Sequence, residues 1–268
     1  MRKRNILYIL LFLTVFSSCS SYEKLLKSND NQLKFEEAKK YYAKKEYLKT
    51  ITLLDAVSTY YKGTDKSEDV LFLTAQSYWG NKDYFSAANY YATYTKSFPR
   101  GKYSEECWFM VGYSHYKDSP DARLDQEETV NAINAFQEFL QIFPNSNKAN
   151  DANKYVEEMQ EKMAYKAYLN AKLYYDLGNY QGNNYLSAII TSTNALKDYP
   201  NTKYKEDFSF LVLESKFNQA EQSIPTKKES RFRETIDEYY NFVNDFPKSK
   251  YAKEAESIFK TSKNFVKE

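Results

Sequence analysis

An aromatic residue followed by proline recurs four times in this chain, each time with a similar polar tail. The copies are Phe98-Pro99-Arg-Gly-Lys-Tyr103, Phe143-Pro144-Asn-Ser-Asn-Lys148, Tyr199-Pro200-Asn-Thr-Lys-Tyr204 and Phe246-Pro247-Lys-Ser-Lys-Tyr251. Proline cannot continue a helix, and a nearby Ser or Thr can cap the next one. Each copy therefore reads as one helix ending and another starting. Tyr61-Lys62-Gly63-Thr64 reads as a fifth copy without its proline. Marks spaced by roughly 40 residues indicate stacked helix pairs, and no alternation of apolar and polar residues is long enough to predict a strand.

Counting back from these marks exposes a second regularity. Twelve residues earlier stand Thr50, Ala87, Ala132, Ala188 and Thr235, all small. Eight residues earlier stand Leu54, Tyr91, Phe136, Ser192 and Tyr239, mostly large. Twenty-four residues before the first two marks stand Ala38 and Ala75. Small residues beside large ones are what close helix crossings require, and the pattern resembles the tetratricopeptide repeat. The expected fold is all-α: a right-handed solenoid of five tetratricopeptide-like helix pairs at about 31–67, 68–104, 105–149, 150–205 and 206–252, with a terminal capping helix over 253–268. Residues 117–128 interrupt the third pair, and 179–184 and 223–230 lengthen loops in the fourth and fifth. Residues 31–149 form the N-terminal half and 150–268 the C-terminal half, one cooperative stack.

The N-terminus is of a different kind. Arg2, Lys3 and Arg4 precede an uncharged run from Ile6 to Phe16, followed by Ser17-Ser18-Cys19-Ser20. This predicts a signal peptide over 1–18; eleven apolar residues are too few for a spanning helix, which takes about 20. The small residues before Cys19 resemble a bacterial lipobox, which implies cleavage before Cys19 and a diacylglycerol on its sulfur. A plain signal peptide or a short uncleaved anchor is the alternative. Cleavage would leave 250 residues with 35 basic against 36 acidic side chains, a net charge of −1. A near-neutral chain lacks the one-sided basic field of a nucleic-acid surface, so no nucleic acid is expected as partner. Residues 19–30 read as a lipidated polar tether. Cys107, the other cysteine, has no disulfide partner left and reads as a buried small hydrophobe.

Signals for catalysis are missing. No phosphate-binding, dinucleotide-binding or nucleophile-elbow motif occurs, His115 is the only histidine, and no Cys/His cluster has metal-ligand spacing. The expectation is a binding protein and no enzyme, with no cofactor and no metal. The positive signal is a ladder on the first helices: Phe35, Lys39 and Tyr42, then Phe72, Gln76 and Trp79, then Phe109, Tyr113 and Tyr116. The spacing i, i+4, i+7 places each trio on one helix face. An exposed aromatic strip there would suit a peptide with aromatic side chains; the alternative is that part of it, the three Phe above all, is core. The second-half counterparts read as non-aromatic.

Taken together, Cys19, the five repeats, the insertion Asp118-Ser-Pro…Leu124-Asp-Gln126 and the run Ala188-Ile-Ile…Ala195-Leu-Lys-Asp-Tyr-Pro-Asn-Thr202 resemble the BamD family, also called ComL, over nearly the whole mature chain. The resemblance implies a lipid-anchored component of the outer-membrane β-barrel assembly machinery, facing the periplasm. It implies a BamA-like barrel insertase bound through the C-terminal repeats and unfolded outer-membrane protein clients bound through the N-terminal ones. Tyr175, Asn179, Tyr180 and Thr191 are expected near the insertase contact. Thr191 stands where the family pattern often carries Arg, so that salt bridge does not carry over. Another periplasmic tetratricopeptide lipoprotein, serving cell-wall synthesis, division or pilus assembly, would share the repeats and the lipid.

Overall fold

A computed structural model of the chain describes residues 21–267, all helix, turn or loop. The expected signal peptide and Cys19 lie outside the described residues. After helical residues 21–27 come α1 (Asn31–Ala43), α2 (Tyr47–Tyr61), α3 (Ser67–Gly80), α4 (Tyr84–Ser97), α5 (Ser104–Asp118), α6 (Glu127–Ile142), α7 (Ala149–Leu177), α8 (Asn184–Asp198), α9 (Lys205–Glu221), α10 (Pro225–Asp245) and α11 (Ala252–Lys263). Five pairs and a final helix match the predicted repeats. Two compact units emerge. The first runs to Ser119 and resumes over Val130–Tyr155; the second is Pro120–Thr129 with everything from Val156.

The aromatic-proline marks build one turn five times. The residue before proline is pushed out of the α region, and Phe98, Tyr199 and Phe246 end their helices at nearly the same φ/ψ, −132/63, −128/64 and −130/66°. Each turn closes with the same N–H···O=C bond, from Gly101 to Phe98, Ser146 to Phe143, Thr202 to Tyr199 and Ser249 to Phe246, at 2.9–3.1 Å. The proline-free copy closes identically, from Thr64 to Tyr61 at 3.0 Å. Within pairs, α1 and α3 end on Lys45 and Lys82 at φ 60° and 63°. There the next amide reaches back to Tyr41 O or Tyr78 O, a Schellman motif with lysine where glycine is usual.

The small positions are crossings. Thr50, Ala87, Ala132, Ala188 and Thr235 are fully buried, as are Ala38 and Ala75. Gly112 continues that row: a Cβ there would stand 2.7 Å from the Phe136 ring. Cys107 is buried and free, and burial holds its thiol protonated.

Three expectations change. Residues 21–27 are no loose tether: Tyr22, Leu25 and Leu26 pack on the core of the first pair, around Phe35, Leu54 and Val57. The stretch 223–230 is mostly helix, because Pro225 opens α10 at the position where its missing N–H costs nothing. The insertion does not stay with the N-terminal half. Lys162 donates to Pro120 O (3.1 Å) and Lys166 to Leu124 O (2.5 Å), while buried Gln126 bonds the carbonyls of Asp121, Leu124 and Asp125. Those bonds tie residues 120–129 to α7 in the second unit.

Candidate functional site

The three phenylalanines of the predicted ladder are core, which corrects the groove reading for Phe35, Phe72 and Phe109. All three are at most 8% exposed, and the reason lies one repeat further along the chain. Tyr103, at the end of the next turn, stacks on Phe72 with centroids 3.8 Å apart and planes at 7°. Its hydroxyl donates to Asp69 (3.0 Å), and the Lys102 N–H donates to Glu68 (2.9 Å). Lys148 covers Phe109 at 5.1 Å and Lys66 covers Phe35 at 5.9 Å, cation–π contacts in place of a stacked ring.

The second unit repeats the device. Tyr251 stacks on Phe210 (4.1 Å, 3°) and donates to Asp207 (2.6 Å), while the Lys250 N–H donates to Glu206 (3.0 Å). Tyr204 stacks on Tyr165 (5.3 Å), and the Lys203 N–H donates to Glu161 (3.2 Å). In each of these pairs a glutamate four residues before the ring fixes the register. Burial alone would raise the Asp69 carboxyl; the bonds from Lys102 and Tyr103 outweigh it and hold the carboxyl below its usual range.

The rest of the ladder forms a connected, half-buried row in the first unit. The Tyr42 hydroxyl donates to Gln76 Oε1 (3.0 Å), and Gln76 Nε2 donates to Glu106 Oε1 (3.3 Å), linking α1, α3 and α5. Burial, with Tyr47 and Glu106 nearby, raises the Tyr42 phenol above its usual range. Beside it the Trp79 ring lies 5.1 Å from Tyr113, which stacks on Tyr116 at 5.8 Å and 16°. Lys39 is exposed, paired with Glu36 at 3.0 Å and set over Phe35 at 4.3 Å. Tyr155, which the sequence reading missed, completes the row, stacking on Tyr113 at 5.2 Å and touching Tyr116 at 4.5 Å. It lies about two turns into α7, on the far side of the insertion, so no spacing from the earlier repeats pointed to it.

In the second unit Tyr175, Asn179 and Tyr180 gather where α7 ends. The Asn218 side-chain amide donates to the Tyr175 hydroxyl (3.2 Å), and Asn179 bonds Gln222, which donates to the Tyr185 hydroxyl (3.2 Å). Burial and Glu214 push the Tyr175 phenol up to about 12. Tyr180 stands 67% exposed at the loop tip. Thr191 is half-buried about two turns into α8. Leu173 and Leu177 near the end of α7, and Leu186 and Ile190 on α8, are exposed, a signal legible as paired i, i+4 apolar residues but not read.

Among the described residues no group of three His, Cys, Asp or Glu could hold a metal ion, and no helix is long and apolar enough to cross a membrane. His115 is half-buried on α5.

The model of the family YfiO, described as outer membrane lipoprotein, matches residues 27–207 and 177–266. A chain from Aquifex aeolicus (strain VF5), described as an outer membrane protein assembly factor, BamD, is 26% identical over 136 residues, covering 51% of this chain and 43% of its own length. This chain thus matches less than half the length of that relative. Among solved structures, the TPR2AB domain of yeast Sti1 in its pHSP90 complex is 14% identical with a TM-score of 0.37, over 87% of this chain and 98% of that one. The family match spans most of the described residues and the structure is helical throughout them: the chain belongs to the YfiO family of outer membrane lipoproteins.

Proposed function

We propose that this chain is a lipid-anchored subunit of an outer-membrane β-barrel assembly machinery, facing the periplasm, that binds and does not catalyse. Its first unit takes the aromatic-ending C-terminal segment of an unfolded barrel precursor, and its second holds a BamA-like insertase. Membership in an outer membrane lipoprotein family supports the location, and the likeness to an assembly factor supports the process. The observation that carries client binding is the row Trp79–Tyr113–Tyr116–Tyr155 with the Tyr42–Gln76–Glu106 relay beside it. Half-buried rings offer flat apolar area that is already ordered, and the relay offers polar groups for a peptide backbone or carboxylate. The exposed apolar residues on α7 and α8 support the insertase side.

The test uses the full chain, because a cut near residue 149 would strand the insertion from the α7 lysines that hold it. Trp79→Ala and Tyr116→Ala are expected to weaken binding of a peptide ending in Phe by about tenfold or more while insertase co-purification persists. Tyr180→Asp with Ile190→Asp is expected to do the reverse. Unchanged peptide affinity in the first pair overturns the client site; full insertase yield in the second overturns the partner site.

A further inference from the structure

The N-terminal end of the first unit carries a feature that neither the repeats nor the row explains. The Tyr22 hydroxyl donates to Lys49 O at 3.3 Å, its ring packs edge-on against Tyr41 at 5.5 Å, and Lys49 Nζ sits 5.6 Å from its centroid. The chain is therefore pinned to the first turn of α2 only three residues after Cys19. Three residues reach no more than about 11 Å, so a lipid on Cys19 would be tied within that span of Tyr22.

The turn itself is basic and apolar. Residues 39–49 hold five lysines and one glutamate, a net +4 within a mature chain of −1. Lys24 and Lys27 add to it from the preceding helical stretch, both exposed. Lys39, Lys40 and Lys49 pair with neighbouring glutamates on the surface, contacts worth little in water. Lys44 and Lys45 are exposed and have no ion pair among the described residues. Leu48, between them and Lys49, is 66% exposed. Glu23, Glu36, Glu37 and Glu46 are the acidic groups in and beside the patch.

We infer that this turn lies on the phospholipid surface, with Leu48 in the headgroup layer and Lys44 and Lys45 against headgroup phosphates. The inference rests on the lipid-anchor reading, since the lipid is what brings the patch to the membrane. One acyl anchor fixes a point and leaves the domain free to swivel; a second contact, on the turn that Tyr22 bonds, fixes its tilt. Each lysine near an anionic surface is worth about fivefold in partitioning at moderate salt, an effect that salt screens.

The test uses lipidated full-length protein carrying Leu48→Cys, and separately Tyr60→Cys. Tyr60 is also exposed and stands about 18 Å further along the same helix. Buried, protonated Cys107 does not compete for an uncharged poly(ethylene glycol) maleimide. Vesicles of phosphatidylethanolamine with phosphatidylglycerol are compared with phosphatidylcholine vesicles and detergent micelles. Flotation on phosphatidylcholine reads the anchor alone. Labelling of Leu48→Cys is expected to slow about tenfold on the anionic vesicles, with Tyr60→Cys unchanged, and to recover in Lys44→Glu/Lys45→Glu or at high salt. Flotation with equal labelling of Leu48→Cys on all three supports overturns the patch and leaves the anchor standing. Equal slowing at both positions overturns it too, as general shielding. Failure to float overturns the anchor reading, and the inference with it.

Discussion

The two units share their seam and differ in what lies beside it. In both, a ring on the first helix of a pair is covered by a side chain of the turn one repeat later: Tyr103 on Phe72 in the first unit, Tyr251 on Phe210 in the second. In both, the turn's backbone and hydroxyl are held by a Glu-Asp pair in the first turn of the same helix. Four and seven residues past the ring the units diverge. The first unit has Gln76 and Trp79, then Tyr113 and Tyr116; the second has Leu169 and Lys172, then Glu214 and Phe217. Tyr165, Phe210 and Phe217 are aromatic, against the sequence expectation; the first two are the covered rings, and Phe217 packs on Phe232 inside its own pair at 6.0 Å. Lys172 pairs with Asp176 at 2.9 Å. What recurs in both units is needed to stack helix pairs; what differs is free to serve binding.

The strongest way to break that comparison is to truncate the seam and the row in parallel. Phe72→Ala and Phe210→Ala should each cost about 3–5 kcal/mol, the range for a buried ring whose cavity cannot collapse. Trp79→Ala, half-buried, should cost clearly less in the same denaturant titration. Equal losses for Phe72 and Trp79 would make the row part of the core and end its claim as a site.

A smaller effect sharpens the difference in charge. Glu214 occupies the position of Gln76, and burial raises its carboxyl above the usual range against the opposing pull of Lys172 and Tyr175. A raised folded value means its contribution is most favourable below the unfolded pKa, about 4.5, and declines as pH rises through the folded one. Glu214→Gln should therefore have a higher Tm than the parent at pH 7, with the gap closing below pH 4. A lower Tm at pH 7 would show that the Tyr175–Glu214 contact outweighs desolvation.

The smallest effect concerns helix ends. The second unit ends α7 on Gly178 at φ 53°, whereas the first ends α3 on Lys82 at φ 63°. A side chain in the left-handed region costs about 1 kcal/mol, so Lys82→Gly should stabilise the first unit by up to about that amount. No gain in thermal unfolding would mean the lysine's contacts offset the strain.

Much of this was legible because its causes are local. Proline and the residue before it set the backbone of each turn within a few residues, which is why five helix pairs, and with them the small crossing residues Thr50, Ala87, Ala132, Ala188 and Thr235, could be read off directly. The insertion and the stretch 223–230 were misjudged for a related reason. Polar composition resembles loop, yet Pro225 starts a helix and buried Gln126 satisfies three carbonyls at once.

The site divides along the same line. Helical periodicity placed Phe72, Gln76 and Trp79 on one face, and it could go no further, since residues four and seven apart share a face whether that face is covered or open. Tyr103 covers Phe72 from 31 residues away, and Glu68 bonds the Lys102 amide from 34 away. The sequence by itself determined which residues line up along each helix. Only the packing of one repeat on the next decided which of them a neighbouring turn would bury and which it would leave half-open.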